Sequence, residues 1–144
     1  MPIPTWLIYA LLSAVSAAAV GVLAKRGMEN VDPTLATAIR SIVMTVFLVS
    51  VTSFVTAWDK VSGISRTAWL LIAASGVAGA LSWLFQFRAI QLSEVSKVGP
   101  IDKLSMPLGI LLAVMFLGER PSAVNWLGIA LVVAGAFLAS IKST

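Results

Sequence analysis

Read for hydrophobic and polar positions, the chain is a series of long apolar runs broken by short polar punctuation. The first run, "WLIYALLSAVSAAAVGVLA", extends from about Trp6 to Ala24 and is closed by Lys25 and Arg26. The second extends from about Pro33 to Trp58, after "DP", where Asp32 offers an N-cap and Pro33 a first helical position. The third covers about Thr67 to Ala89, the fourth about Lys97 to Leu117, and the fifth about Ser122 to Ile141. A spanning helix needs about 20 apolar residues, and each run is long enough to supply one. No run alternates apolar and polar residues in the manner of a barrel strand. The pattern predicts an all-α integral membrane bundle of five transmembrane helices, folded as a single domain over residues 1–144. Apart from the polar stretch around Asp59 to Arg66, the connections are too short for a soluble domain.

Composition strengthens this picture. Hydrophobic residues make up 59% of the chain, charged residues 11%, and the mean hydropathy is +0.99. A soluble protein carries about a quarter charged residues, so too few charges exist here to coat a water-facing surface. There is no cysteine and no histidine. Disulfides, thiol nucleophiles, most zinc sites and imidazole bases are thereby excluded. No nucleophile–base pair, metal cluster or phosphate-cradling loop is visible, which predicts a non-enzyme without metal or cofactor. The formal charge of +4 is scattered among apolar runs, as flanks of spans and not as a nucleic-acid surface.

The N-terminal "MPIPTW" lacks the basic stretch of a signal peptide, so the first helix is expected to be retained. Lys60, Arg66 and Arg120 fall on the side of the N-terminus, whereas Lys25, Arg26, Arg88, Lys97 and Lys142 fall on the other. By the positive-inside rule the C-terminus is expected in the cytoplasm. Trp6, Trp58, Trp69 and Trp126 lie near span ends as interfacial anchors, and Trp83 lies deeper. Small-residue seams, Ser13–Ala17–Gly21 on the first helix, Gly76 and Ala80 on the third, and Gly128, Ala130, Ala134 and Gly135 on the last, allow close helix approach. The last helix is the candidate dimer face.

Charges inside spans are costly and tend to face a protein interior or a wet cavity. Arg40 in the second run and Asp102 and Lys103 in the fourth lie roughly 6–11 Å below one surface at about 1.5 Å per residue. Gln86, Arg88, Trp83 and Phe87 approach that level along the third run. Two readings stand. In one, Arg40 and Lys103 snorkel to the headgroups and Asp102 neutralises one of them. In the other, Arg40 pairs with Asp102 and leaves Lys103 as an uncompensated cation in a solute cavity, since neighbours on a helix diverge by about 100°. Pro107 removes a helical hydrogen bond and frees a carbonyl near Lys103, which makes it a candidate hinge.

The segment "FQFRAIQLSEVSKVGPIDKLSMPLGILLAVMFLGERPSAVNWLGIALVVAGAFL" resembles the end of an EamA domain of the drug/metabolite transporter superfamily. The "FRAIQL" exit of the third helix, "KVGPIDKLS", "FLGER" and "WLGIALVVAGAFL" carry the likeness. Upstream, "NVDPTLATAIRS" and "GALSWLFQFRA" resemble short, single-domain bacterial members. The resemblance implies a carrier of small metabolites in the bacterial inner membrane, where typical relatives hold two five-helix repeats of inverted topology. One repeat then implies a homodimer, possibly antiparallel. It also places Lys103, Ser105, Trp83 and Gln86 in cavity-side regions, matches Arg40 to a recurrent basic position, and gives Glu119 a helix-end role.

These observations predict a secondary transporter working by alternating access on anionic or zwitterionic solutes such as amino acids. Arg40, Asp102, Lys103, Trp83, Gln86 and Ser105 are the candidate solute contacts. A lipid-linked sugar flippase and a non-transporting membrane subunit are the alternatives.

Overall fold

A computed structural model describes residues 4–55 and 58–141. Lys142, counted above among the flanking cations, lies outside the described residues. Among these residues every regular element is a helix: α1 (Thr5–Gly27), α2 (Pro33–Val55), a short 3-10 helix (Trp58–Gly63), α3 (Arg66–Leu92), α4 (Val95–Asp102), α5 (Ser105–Leu117) and α6 (Ala123–Ser140). Five spans result, because α4 and α5 together form one stretch of 23 residues, Val95–Leu117. Their apolar side chains are mostly exposed, including Leu70, Leu131 and Phe116, as suits surfaces bathed in acyl chains.

Local chemistry explains the helix limits. Asp32 caps α2: its Oδ1 accepts the N–H groups of Thr34 (2.8 Å) and Leu35 (3.1 Å), and Pro33 occupies the first turn. Ser122 caps α6 by accepting the Asn125 N–H at 3.3 Å. Gly118 ends α5 at φ 71°, a left-handed conformation that glycine adopts without a Cβ clash. Serine and threonine hydroxyls along α2 return to carbonyls one turn earlier, as in Thr37 to Pro33 (2.7 Å) and Ser41 to Thr37 (2.8 Å). That satisfies them without water. The second helix is described as far as Val55, and Trp58, its expected end, lies in the 3-10 helix and donates its indole N–H to Ser53 Oγ at 3.1 Å.

The fourth span differs from the single kinked helix expected over 97–117. It breaks between Asp102 and Ser105, four residues before the proline. In a continuous helix the N–H of residue 107 would reach the Lys103 carbonyl, and proline has no N–H. The carbonyl is not left free as anticipated. It accepts the Met106 N–H at 3.1 Å, so the backbone tightens into three-residue turns across the break.

The described residues form two compact units. One comprises Met1–Lys25 with Leu92–Thr144. Here α4 and α5 pack along α6, burying Ile129 and Ala136, and Ser140 Oγ donates to the Lys97 carbonyl at 3.3 Å. The end of α1 joins the start of α4. Lys25 Nζ donates to the Ser93 carbonyl at 2.8 Å, and a Cβ placed on Gly21 would lie 3.2 Å from Val95 Cγ1. The α1 seam therefore serves intramolecular packing at Gly21. The other unit, Arg26–Gln91, holds α2, the 3-10 helix and α3, with Met28, Phe87 and Ile90 buried.

Candidate solute site

Within the second unit, Arg40 and Trp83 meet inside the apolar spans. Arg40 is eight residues into α2 by position, about 10 Å below its start at about 1.5 Å per residue. Its guanidinium carbon lies 3.6 Å from the centroid of the Trp83 ring and 5.7 Å from that of Phe87. The two rings contact edge to face, with centroids 5.7 Å apart and planes at 90°. Phe87 is buried, and Arg40 and Trp83 are partly so. Within this unit, no carboxylate among the described residues forms an ion pair with Arg40. The indole π-face takes the place of a counter-ion: it stabilises the cation but leaves its five N–H groups without a charged acceptor. Of the five tryptophans, the four expected at the interface are exposed, and Trp83 is the more sheltered one. Gln86 is partly buried on the turn between Trp83 and Ile90.

Toward the end of α3, Arg88 Nη1 donates to Gln91 Oε1 at 2.8 Å, and Gln91 Nε2 donates to the Val31 carbonyl at 3.5 Å. This chain of contacts ties α3 to the turn that precedes α2, and so fixes the register in which Trp83 meets Arg40. Gln91 was not singled out in the sequence; its one signal was a polar side chain one turn after Arg88. The Asp32 carboxyl in that turn is held below the ordinary carboxylate range, chiefly by the Leu35 N–H, with Thr34 and the nearby Arg88 charge adding to it.

In the first unit, the break in the fourth span carries Asp102, Lys103 and Ser105. Lys103 Nζ lies 3.4 Å from Asp102 Oδ2, with the lysine side chain 64% exposed and the aspartate 27%. The two side chains meet although neighbours on a helix diverge. Helix α4 ends at Asp102, Lys103 still has a right-handed helical backbone (φ −67°, ψ −10°), and its flexible four-carbon stem folds back onto its neighbour. Lys103 thus has a carboxylate beside it within its own unit. Ser105 is exposed on the first turn of α5, and Pro107 is buried beside it.

A second feature of this unit was not anticipated. An open cleft of about 660 Å³ lies between α5 and α6, walled by Met106, Ile110, Ile129 and Val132, with Glu119, Arg120 and Asn125 at its polar end. Glu119 was expected to act only at the helix end. Its backbone N–H does so, donating to the Ala113 carbonyl at 3.3 Å, and the residue also lines the cleft.

Five apolar spans, with Arg40 and Lys103 set in from the ends of two of them, define a multi-pass helical membrane protein. The chain belongs to the EamA-like transporter family, which matches residues 4–141. It is 39% identical over 137 residues, 95% of its length, to an uncharacterized transporter from the cobO 3′ region of a Sinorhizobium species, of which it covers 97%. It is also 33% identical over 76 residues to the riboflavin transporter of Vibrio cholerae, matching 53% of this chain and 25% of that protein. No solved structure matches it.

Proposed function

We propose that the protein is a secondary transporter of small anionic or zwitterionic metabolites in a bacterial inner membrane. It works by alternating access as a homodimer, with its C-terminus in the cytoplasm. The observation that carries this reading is the Arg40 guanidinium, placed inside a span and held on an indole ring without a carboxylate from its own unit. A guanidinium in that state has donors suited to a carboxylate or phosphate, and binding an anionic solute supplies the missing acceptor. Lipophilic cations are disfavoured at the same place by like charge. Trp83 and Gln86 add a stacking surface and an amide, and Asp102, Lys103 and Ser105 provide polar groups at a backbone break of the kind used in carriers. Pro107 sets that break and acts as the hinge. The family and the length of the match support a chain that carries a single five-helix repeat, and pairing of two such chains would supply the second.

Counterflow into proteoliposomes tests the reading, with a panel of amino acids, organic acids, sugar phosphates and riboflavin. At least one anionic or zwitterionic solute is expected to exchange, and Arg40→Gln is expected to reduce exchange at least tenfold. Exchange of none of them by a monodisperse preparation, or exchange unaffected by Arg40→Gln, would refute it.

A further inference from the structure

The cleft between α5 and α6 is lined by none of the candidate solute residues and has the makings of a lipid site. Its polar end is the α5–α6 connection, between the last residue of one span, Leu117, and the first of the next, Ala123. That position places Glu119 and Arg120 at headgroup level. Among the described residues neither side chain forms an ion pair. An adjacent unpaired acid and base offer one acceptor for an ammonium and one forked donor for a phosphate.

The apolar walls continue inward from there. Met106 lies eleven residues before Leu117, and Val132 nine residues after Ala123, so the walls descend about 14–17 Å at about 1.5 Å per residue. One leaflet of hydrocarbon is about 15 Å deep, half of a core of about 30 Å. Gly128 lines the floor, and a Cβ added there would meet nothing within 4 Å, so the space beside it is open. The cleft therefore matches a single acyl chain in length, and its mouth matches a headgroup carrying both signs of charge.

We propose that this cleft binds an aminophospholipid, with the phosphate on Arg120, the ammonium on Glu119 and one acyl chain between Met106 and Val132. A phosphatidylglycerol headgroup would satisfy Arg120 but leave Glu119 facing an anion. A phosphatidylcholine headgroup cannot donate a hydrogen bond to Glu119. The preference follows from the pair of charges and not from net charge.

Native mass spectrometry of the detergent-solubilised full chain, titrated separately with phosphatidylethanolamine, phosphatidylglycerol and phosphatidylcholine of equal chain length, tests the proposal. Retention of one phosphatidylethanolamine per chain is expected at a concentration at least fivefold below that needed for the other two. Glu119→Gln is expected to abolish the preference over phosphatidylcholine, and Arg120→Gln to weaken retention of all three. Gly128→Leu should block binding by filling the floor, while Arg66→Gln, another flanking cation, should leave it intact. Helical circular dichroism and a monodisperse elution profile identify variants that remain folded. Equal retention of the three lipids, a preference that survives Glu119→Gln in folded protein, or a second copy of the chain protecting this cleft from lipid would each overturn the assignment. Transport measurements do not enter this test, so it stands or falls independently of the solute reading.

Discussion

Removing the ring beneath Arg40 is the most informative perturbation of the proposed solute site. The Trp83→Leu substitution keeps an apolar side chain at the position but deletes the π-face that lies 3.6 Å from the guanidinium carbon. A cation over tryptophan contributes about 0.5–1 kcal/mol when exposed and about 2 kcal/mol or more when desolvated. Arg40 is partly buried within a span, so the expected contribution is about 1–2 kcal/mol. The same substitution also removes the edge-to-face contact with Phe87, a further 0.5–1.5 kcal/mol or so. Measured alone, the variant mixes the two effects. A double-mutant cycle with Arg40→Met separates them, because only the cation–ring contact is shared by both sites. Reversible unfolding in mixed micelles should give a coupling energy of about 1–2 kcal/mol, with Trp83→Phe retaining part of it. A coupling below about 0.3 kcal/mol, the level at which independent sites add, would refute the idea that the indole stands in for a counter-ion.

Three further perturbations follow from the helix ends and the break. Gly118→Ala places a Cβ at φ 71° and is expected to destabilise the protein by about 1 kcal/mol, read as a lower melting temperature in detergent. Pro107→Ala restores the missing N–H and is expected to slow amide exchange across residues 103–107, with slower solute exchange if the break is the hinge. For Asp32, the folded carboxyl titrates below its ordinary value of 3.8, so its stabilisation is complete above that pH and is lost as pH falls through the lower folded value. Asp32→Asn keeps a capping acceptor and should remove this acid-side loss, whereas Asp32→Ala should lower stability at every pH; identical pH profiles for wild type and Asp32→Asn would contradict the capping account.

Hydropathy was a good guide to where the spans run and a poor one to how they are turned. The start of α2 was legible because Asp32 and Pro33 each have a local reason to stand there, and the observed cap confirms it. The end of the fourth span coincides at Leu117, and the remaining ends differ by one to three residues, as fraying and 3-10 turns dictate. The break at Lys103 was displaced from Pro107 because proline acts on the carbonyl four residues earlier. Side-chain partners were harder to read. These helices are apolar on all sides, so periodicity assigns no inward face, and the stacking of Arg40 on Trp83 had no signal beyond shared depth. The pairing of Lys103 with Asp102 depends on where the helix ends, which spacing along a regular helix does not express. The α5–α6 cleft is lined in part by Gly128, which reads equally well in sequence as a packing seam.

The central claim is that the cations inside the spans face a hydrated solute cavity, and the natural absence of cysteine makes it directly testable. Arg40→Cys, Trp83→Cys and Ser105→Cys are introduced singly and exposed in proteoliposomes to a charged, membrane-impermeant maleimide, with and without the solute found by counterflow. The account predicts rapid labelling at all three positions and protection by solute. Failure to label, together with quenching of a fluorophore at those positions by brominated acyl chains, would place them in lipid and contradict it.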